Sequence, residues 1–205
     1  MCNRYTLSVA FADNKLLSML QMCGDAAEER QNFDVKNLES ILPSDYTPAL
    51  MVANSKIKAV LMQWGFDSGA KLIINARSES VKERPMFKTL ADHQRCLLPA
   101  TGYYEWRDGD GLRHLIARGD SRPFYLAGLY RSDKKGQLHF VILTRQAYGR
   151  HAKIHSRMPC ALFSKDTAKQ WLSGRMPVEQ LYATETDDFS IEVQGIDQIR
   201  MEFDD

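Results

Sequence analysis

The chain has 205 residues, 44 % of them hydrophobic, and its 27 basic and 26 acidic side chains leave a net charge of +1. That is enough apolar material for one substantial core, or two small lobes sharing one, and it excludes a disordered chain. No apolar run approaches the roughly 18–20 residues of a membrane-spanning helix.

Residues 3–8 are expected to form a first strand, and Asp13 to cap a helix carrying Leu16, Leu17 and Leu20. Segment 57–64 reads as a strand ended by Gly65, and Ile73 and Ile74 lead into Asn75-Ala76-Arg77. A short helix is expected over 87–93. Segment 101–107 alternates so that Tyr103, Glu105 and Arg107 share one face. Asp108-Gly109-Asp110-Gly111 is a hairpin signal, with 112–117 as the return strand. Segments 124–130 and 138–144 pair around a turn at 133–136, and Ser164 caps a helix over 165–172. There is no internal repeat and no Pro/Ser linker, so residues 1–205 read as a single domain. Many short antiparallel strands with a few short helices indicate an α+β fold.

Charge is unevenly distributed. Residues 143–175 hold Arg145, Arg150, Lys153, Arg157, Lys165, Lys169 and Arg175 against Asp166, whereas 176–205 hold nine acids against Arg200. Such a block suits a polyanion, although solvated faces are the plainer reading. Cys2, Cys23, Cys96 and Cys160 show neither metal-ligand nor disulfide-framework spacing, so no metal and no cofactor is expected. The N-terminus lacks a basic segment followed by an apolar one, which points to the cytoplasm.

Cys2 is the most informative residue. It follows Met1, and methionine removal generally requires a small second side chain, so Cys2 is expected to become the N-terminal residue. It would then carry an α-amine and a thiol on adjacent carbons, with ordinary pKa values of about 7.7–8.0 and about 8.5. Together they can trap an aldehyde, the amine as an imine and the thiol by closing a five-membered thiazolidine. The plainer reading is a small buried residue on a first strand.

Three further patches set polar residues in apolar contexts. Asn75 offers donors and an acceptor at a strand end, and Arg77 offers a fork that suits phosphate. Glu105 stands between Tyr104 and Trp106, where a carboxyl with a raised pKa can act as acid and base, or can instead pair with Arg107 or Arg113 at a hairpin surface. His155, in Ile154-His155-Ser156-Arg157-Met158-Pro159, is the side chain suited to proton transfer near neutrality. His151 competes with it, in what reads as a solvated turn.

Cys2-Asn3-Arg4-Tyr5, Asn75-Ala76-Arg77, Arg84-Pro85-Met86-Phe87, the run from Arg95 through Leu98-Pro99-Ala100-Thr101-Gly102 to Glu105-Trp106, and His155-Ser156-Arg157-Met158-Pro159 together resemble, in order and spacing, the SRAP family. These are the SOS-response-associated peptidase or abasic-site-processing proteins. The resemblance runs from Cys2 to about Trp171 and includes Trp64-Gly65, Ala127-Gly128-Leu129 and Thr144. It implies a mostly antiparallel, barrel-like sheet with a few short flanking helices. It also implies a protein that senses abasic sites in single-stranded DNA and shields them as a thiazolidine crosslink. By resemblance, Cys2, Asn75, Glu105 and His155 are catalytic. Asn75 would position the amine and sugar, Glu105 move protons, and His155 assist ring opening and reversal. Arg4, Arg77, Arg84 and Arg157 would bind flanking phosphates. The implied partner is single-stranded DNA at replication forks, met by a monomer associated with the nucleoid and not with a membrane.

The chain departs from the family pattern in four places. Residue 3 is Asn where Gly is usual. The family's Tyr-Asn-x-Ala-Pro stretch survives only as Ser40-Ile41-Leu42-Pro43, and the loop 66–71 lacks the Pro and Trp that help wedge DNA open. The family's final segment is not evident after Gln194. Two other functions compete: a cysteine peptidase with Cys2 as nucleophile and His155 as base, possibly acting on its own leader, and a non-catalytic module for single-stranded DNA.

Overall fold

A computed structural model describes residues 2–8, 38–183 and 189–194; the helix expected after Asp13 lies outside them. The strands are β1 (Tyr5–Thr6), β2 (Tyr46–Ala53), β3 (Lys56–Trp64), β4 (Phe66–Asp67), β5 (Leu72–Ile73), β6 (Asn75–Arg77), β7 (Arg95–Ala100), β8 (Gly102–Trp106), β9 (Arg113–Arg118), β10 (Phe124–Ser132), β11 (Leu138–Gln146), β12 (Arg157–Pro159), β13 (Ala161–Leu162) and β14 (Phe189–Gln194). The helices are α1 (Pro85–His93), α2 (Lys165–Leu172) and α3 (Gln180–Ala183).

The larger sheet closes into a ring. β11 pairs with β3, β3 with β2, β2 with β7, β7 with β10, and β10 again with β11. Pairing is antiparallel except where β3 and β6 run parallel to β11. A smaller sheet, ordered β1-β8-β9-β14, carries the N-terminal strand. The architecture is therefore α+β with a mostly antiparallel sheet, as expected.

β7 is buried on both faces along its whole length and β11 over most of its own, which explains why they read as apolar runs and not as alternation. Met62, Trp64, Cys96, Leu98, Phe140 and Ile142 join the core that also holds Cys2 and Tyr5. Their neighbours Leu97, Leu129, Val141 and Leu143 face the other way, onto Phe87 and Leu90 of α1 and Trp171 of α2. Pro85 starts α1, where its missing N–H costs nothing. Ser164 Oγ accepts the Thr167 N–H and caps α2 as expected. Arg95 ties both helices to β7. It is buried, donates to Ala91 O and Met176 O at 2.6 Å each, and lies 4.3 Å over the Trp171 ring.

Gly128 sets how closely β10 approaches β7 inside the ring. A Cβ there would stand 2.8 Å from Leu98 Cδ2, 2.9 Å from Cys96 Sγ and 2.9 Å from the Val141 carbonyl oxygen. The last contact is backbone and cannot move aside cheaply. Gly128→Ala is expected to cost about 2 kcal/mol by overpacking, lowering Tm by roughly 4–8 °C in a thermal melt. An unchanged Tm would show that the ring has slack at this point.

Candidate active site

The site is assembled where three segments meet the N-terminus. The first is the path back to Asn75. After Trp64 the chain leaves the edge of β11 through Gly65, whose φ of +117° favours glycine, runs out along β4 and back along β5, and rejoins the same edge as β6. Trp64 Nε1 donates to Ile74 O at 2.9 Å and closes the base of this excursion. Asn75 is thereby fixed opposite Ile142 of β11, and its Nδ2 donates to the Cys2 carbonyl oxygen at 2.7 Å. Its Oδ1 is buried without a hydrogen-bond partner among the described residues.

Residues 4–6 run antiparallel to β8, with Tyr5 opposite Tyr103 and Tyr104 N donating to Arg4 O at 2.9 Å. Tyr5 anchors the segment: its hydroxyl donates to Thr47 Oγ1 at 3.0 Å, and its ring meets Trp64 edge-on at 5.4 Å. Cys2 is fully buried, and its Sγ donates to Arg4 O at 3.7 Å. Burial pushes the thiol well above its ordinary pKa, and the Glu105 carboxyl pushes the same way. The resting group is therefore a neutral thiol.

Period-two alternation turns Tyr103 and Glu105 inward, while Tyr104 and Trp106 are half-buried on the opposite face. Glu105 is only 3 % exposed. Burial raises its carboxyl to about 7, against the opposing positive charge of the amino terminus. Neither of the arginines considered as surface partners is spent on it. Arg107, just beyond the strand end, is engaged by Asp110, and Arg113 lies 5.4 Å over the Tyr104 ring.

The third segment carries His155, half-buried after a helical turn over His151–Lys153. Asp108 N, just past β8, donates to Ile154 O at 2.9 Å and ties this turn to the strand of Glu105. His155 Nδ1 accepts the Arg157 N–H at 2.9 Å, which places the neutral ring's proton on Nε2. Burial lowers its pKa, as does the charge of the amino terminus. His151 corrects an expectation. It is 4 % exposed, with Phe189 edge-on at 4.6 Å and Tyr103 stacked at 6.2 Å, a core residue and not part of a solvated turn.

The four arginines differ in position. Arg4 is half-buried, 5.5 Å over the Trp106 ring; Arg77 is exposed at the end of β6, and Arg84 is exposed ahead of α1. Arg157 is 14 % exposed, and its fork grips Glu79 with two bonds of 2.8 Å. The block of cations at 143–175 is thus not one solvated surface. Arg145 is buried, donating to Tyr182 O at 2.8 Å, and Arg150 donates to Phe189 O at 2.6 Å. The shortened loop contributes no exposed aromatic: Phe66 is buried, 6.2 Å from Phe87. Glu79 escaped the sequence reading; its one signal is an acid two residues past Arg77.

Among the described residues no cluster of three His, Cys, Asp or Glu is placed to hold a metal, and no helix is long and apolar enough to cross a membrane.

A family model described as SOS response associated peptidase (SRAP) matches residues 1–197. The chain is 29 % identical over 188 residues to the abasic site processing protein YoaM of Bacillus subtilis, covering 84 % of this chain and 79 % of that protein. It is 30 % identical over 164 residues to YobE, an abasic site processing protein of the same organism, covering 67 % and 74 %. A solved structure from Bacteroides thetaiotaomicron shares the fold at a TM-score of 0.73 and 19 % identity, covering 97 % of this chain and 94 % of that one. A phage-related protein from Bordetella bronchiseptica does so at 0.70 and 22 %, covering 94 % and 93 %.

Proposed function

The chain belongs to the SRAP family, and we propose that, once Met1 is removed, it captures abasic sites in single-stranded DNA as a thiazolidine at Cys2. The observation that carries this reading is the grip of Asn75 on the Cys2 carbonyl, beside a buried Glu105 that titrates near neutrality. The relatives named as abasic site processing proteins supply the substrate class.

In the proposed reaction the ring-opened sugar presents an aldehyde at C1′. The α-amine, as the free base, adds to C1′ to give a carbinolamine. Glu105, as the acid, protonates the departing hydroxyl, and water leaves to form the protonated imine. The Glu105 carboxylate then takes the thiol proton while sulfur bonds to C1′, and the C=N electron pair returns to the nitrogen, which keeps its own proton. The ring closes with a net loss of one water. A carboxyl titrating near pH 7 is suited to both steps. Neutral His155 donates from Nε2 to the sugar ring oxygen as it opens. Arg4, Arg77 and Arg84 hold flanking phosphates, with Arg157 beside them, and contacts of this kind position a strand without reading its sequence.

A peptidase reading draws less support. A cysteine peptidase needs its thiol ionised by an adjacent imidazole. Here burial opposes ionisation of Cys2, and His155 spends its Nδ1 lone pair on the Arg157 N–H. The test is untagged protein mixed with single-stranded DNA carrying one abasic site, resolved on a denaturing gel. The expected result is a shifted band that survives heating without reductant. Intact DNA binding with no such band would overturn the proposal in favour of a non-catalytic module.

A further inference from the structure

We propose that Glu79 is a positioning residue of this site, holding Arg157 and through it the placement and tautomer of His155. The inference rests on the reading above for its kinetic readout but not for its geometry.

One carboxylate joins three strands here. Glu79 lies two residues beyond Arg77, on the segment that continues β6 and therefore carries Asn75. Its Oε1 accepts from Gln146 N of β11 and from Arg157 Nη1 of β12, each at 2.8 Å, and its Oε2 accepts from Arg157 Nη2 at 2.8 Å. Arg157 Nη2 also donates to Thr144 O at 2.7 Å. Register agrees with this stitching, since Arg77 lies opposite Thr144 and Arg157 opposite Gln146. The segment of Asn75 and the turn of His155 are thus bolted to one strand by a planar, two-pronged ion pair.

An ion pair of this exposure adds little stability, but a bidentate fork fixes direction. Burial alone would raise the Glu79 carboxyl; the bonds from Arg157 and Gln146 outweigh it and hold the group below its ordinary value. The carboxylate therefore stays charged through the neutral range. With the side chain of Arg157 pinned, its backbone N–H points at His155 Nδ1, 2.9 Å away. That bond keeps the imidazole proton on Nε2, the nitrogen the reaction uses. Partners that orient a functional imidazole act in the same way around metal sites.

The experiment compares Glu79→Gln, Glu79→Asp, Arg157→Lys and the Gln/Lys double variant with the unaltered chain. Capture is timed at saturating abasic-site DNA, affinity is measured on intact single-stranded DNA, and the His155 tautomer is read by two-bond 1H–15N NMR. Glu79→Gln is expected to slow capture at saturation at least tenfold while affinity stays within twofold, and Nδ1–H signal should appear at His155. Glu79→Asp should recover part of the rate. The double variant should be no slower than the slower single one, because both changes break one device. Should Glu79→Gln fail to fold, Glu79→Asp and Arg157→Lys carry the comparison. Unchanged saturating rate with an unchanged tautomer would overturn the proposal. Tighter DNA binding at an unchanged rate would also overturn it, showing that Glu79 only competes with phosphate for the Arg157 fork. If the unaltered chain forms no adduct, the proposed function fails, while the NMR comparison still decides the role of Glu79.

Discussion

Cys2→Ala is expected to abolish the heat-stable adduct with abasic-site DNA while leaving reversible DNA binding within twofold. The two outcomes separate because they draw on different atoms. Only the thiol can close the five-membered ring, and the cysteines at 96 and 160 are buried internal residues with no α-amine to partner them. The arginines proposed to hold phosphate lie on other segments, apart from Arg4. Alanine is also small enough for Met1 to be removed, so the variant keeps a free α-amine. That amine still forms an imine, and borohydride is expected to trap it. The predicted pattern is therefore specific: no adduct after heating, an adduct only after reduction, and an ordinary binding isotherm. The sulfur is fully buried, so its loss should cost about 1–2 kcal/mol of stability, too little to explain complete loss of activity. A heat-stable adduct in the variant without reductant would refute the thiazolidine. Equal loss of adduct and affinity would move Cys2 from chemistry to folding.

Much of the fold was legible in local pattern. Segment 57–64 falls inside β3, 138–144 inside β11, and the cap at Ser164 begins α2 where expected. Each is signalled by residues close in sequence. β2 carries no such local signal, since Pro48 stands within it. The ladder explains the tolerance. Trp64 N donates to Asp45 O, so alternation leaves Pro48 in a non-hydrogen-bonded pair with Leu61, with its missing N–H on the β7 side. β7 meets β2 only at Leu50 and Met51. Extending that register would set Pro48 against Pro99, and the ladder stops before it. A proline at a gap between strands cannot be told from a proline in a loop without the pairing. β12 and β13 are unmarked in the sequence for a related reason: each is two or three residues long and exists through its partner.

The candidate site can be read from the sequence as a set of residues, and its arrangement cannot. Cys2 suggested its chemistry through its position after Met1, and Asn75, Glu105 and His155 gained weight only from their order in the family pattern. Tertiary contacts reassigned the arginines. In the sequence Arg145 and Arg157 belong to one basic block, yet one is buried against the carbonyl of Tyr182 and the other clasps a carboxylate 78 residues away. His151 competes with His155 in sequence from what reads as a solvated turn; aromatic burial of the first and the Arg157 N–H on the second separate them on different grounds.

Glu105→Gln should slow capture by about 10²–10⁴-fold without abolishing it, and should make the folded chain more stable at pH 8. Both effects follow from one buried carboxyl. Glutamine keeps the shape and the hydrogen-bonding reach but can neither lend nor take a proton, so amine and thiol are left to close the ring unaided. The residual rate should lose the dependence on pH that a group titrating near 7 imposes. The stability change has a definite sign. Folding raises this carboxyl from 4.5 to about 7, chiefly by burial. Below about pH 4.5 it is protonated in both states and contributes nothing. As the pH rises from there to about 7, the unfolded chain releases a proton that the folded chain retains, and stability falls. Above 7 the loss is constant, about 3 kcal/mol for a shift of this size. Glutamine carries no such penalty. Chemical denaturation of both proteins at pH 4 and pH 8 should therefore show nearly equal stability at the lower pH and a more stable variant at the higher. A variant that captures DNA at the unaltered rate would remove Glu105 from the chemistry. A variant less stable than the parent at pH 8 would mean that the fold favours the carboxylate, and the pKa near neutrality on which the proposed mechanism depends would not hold.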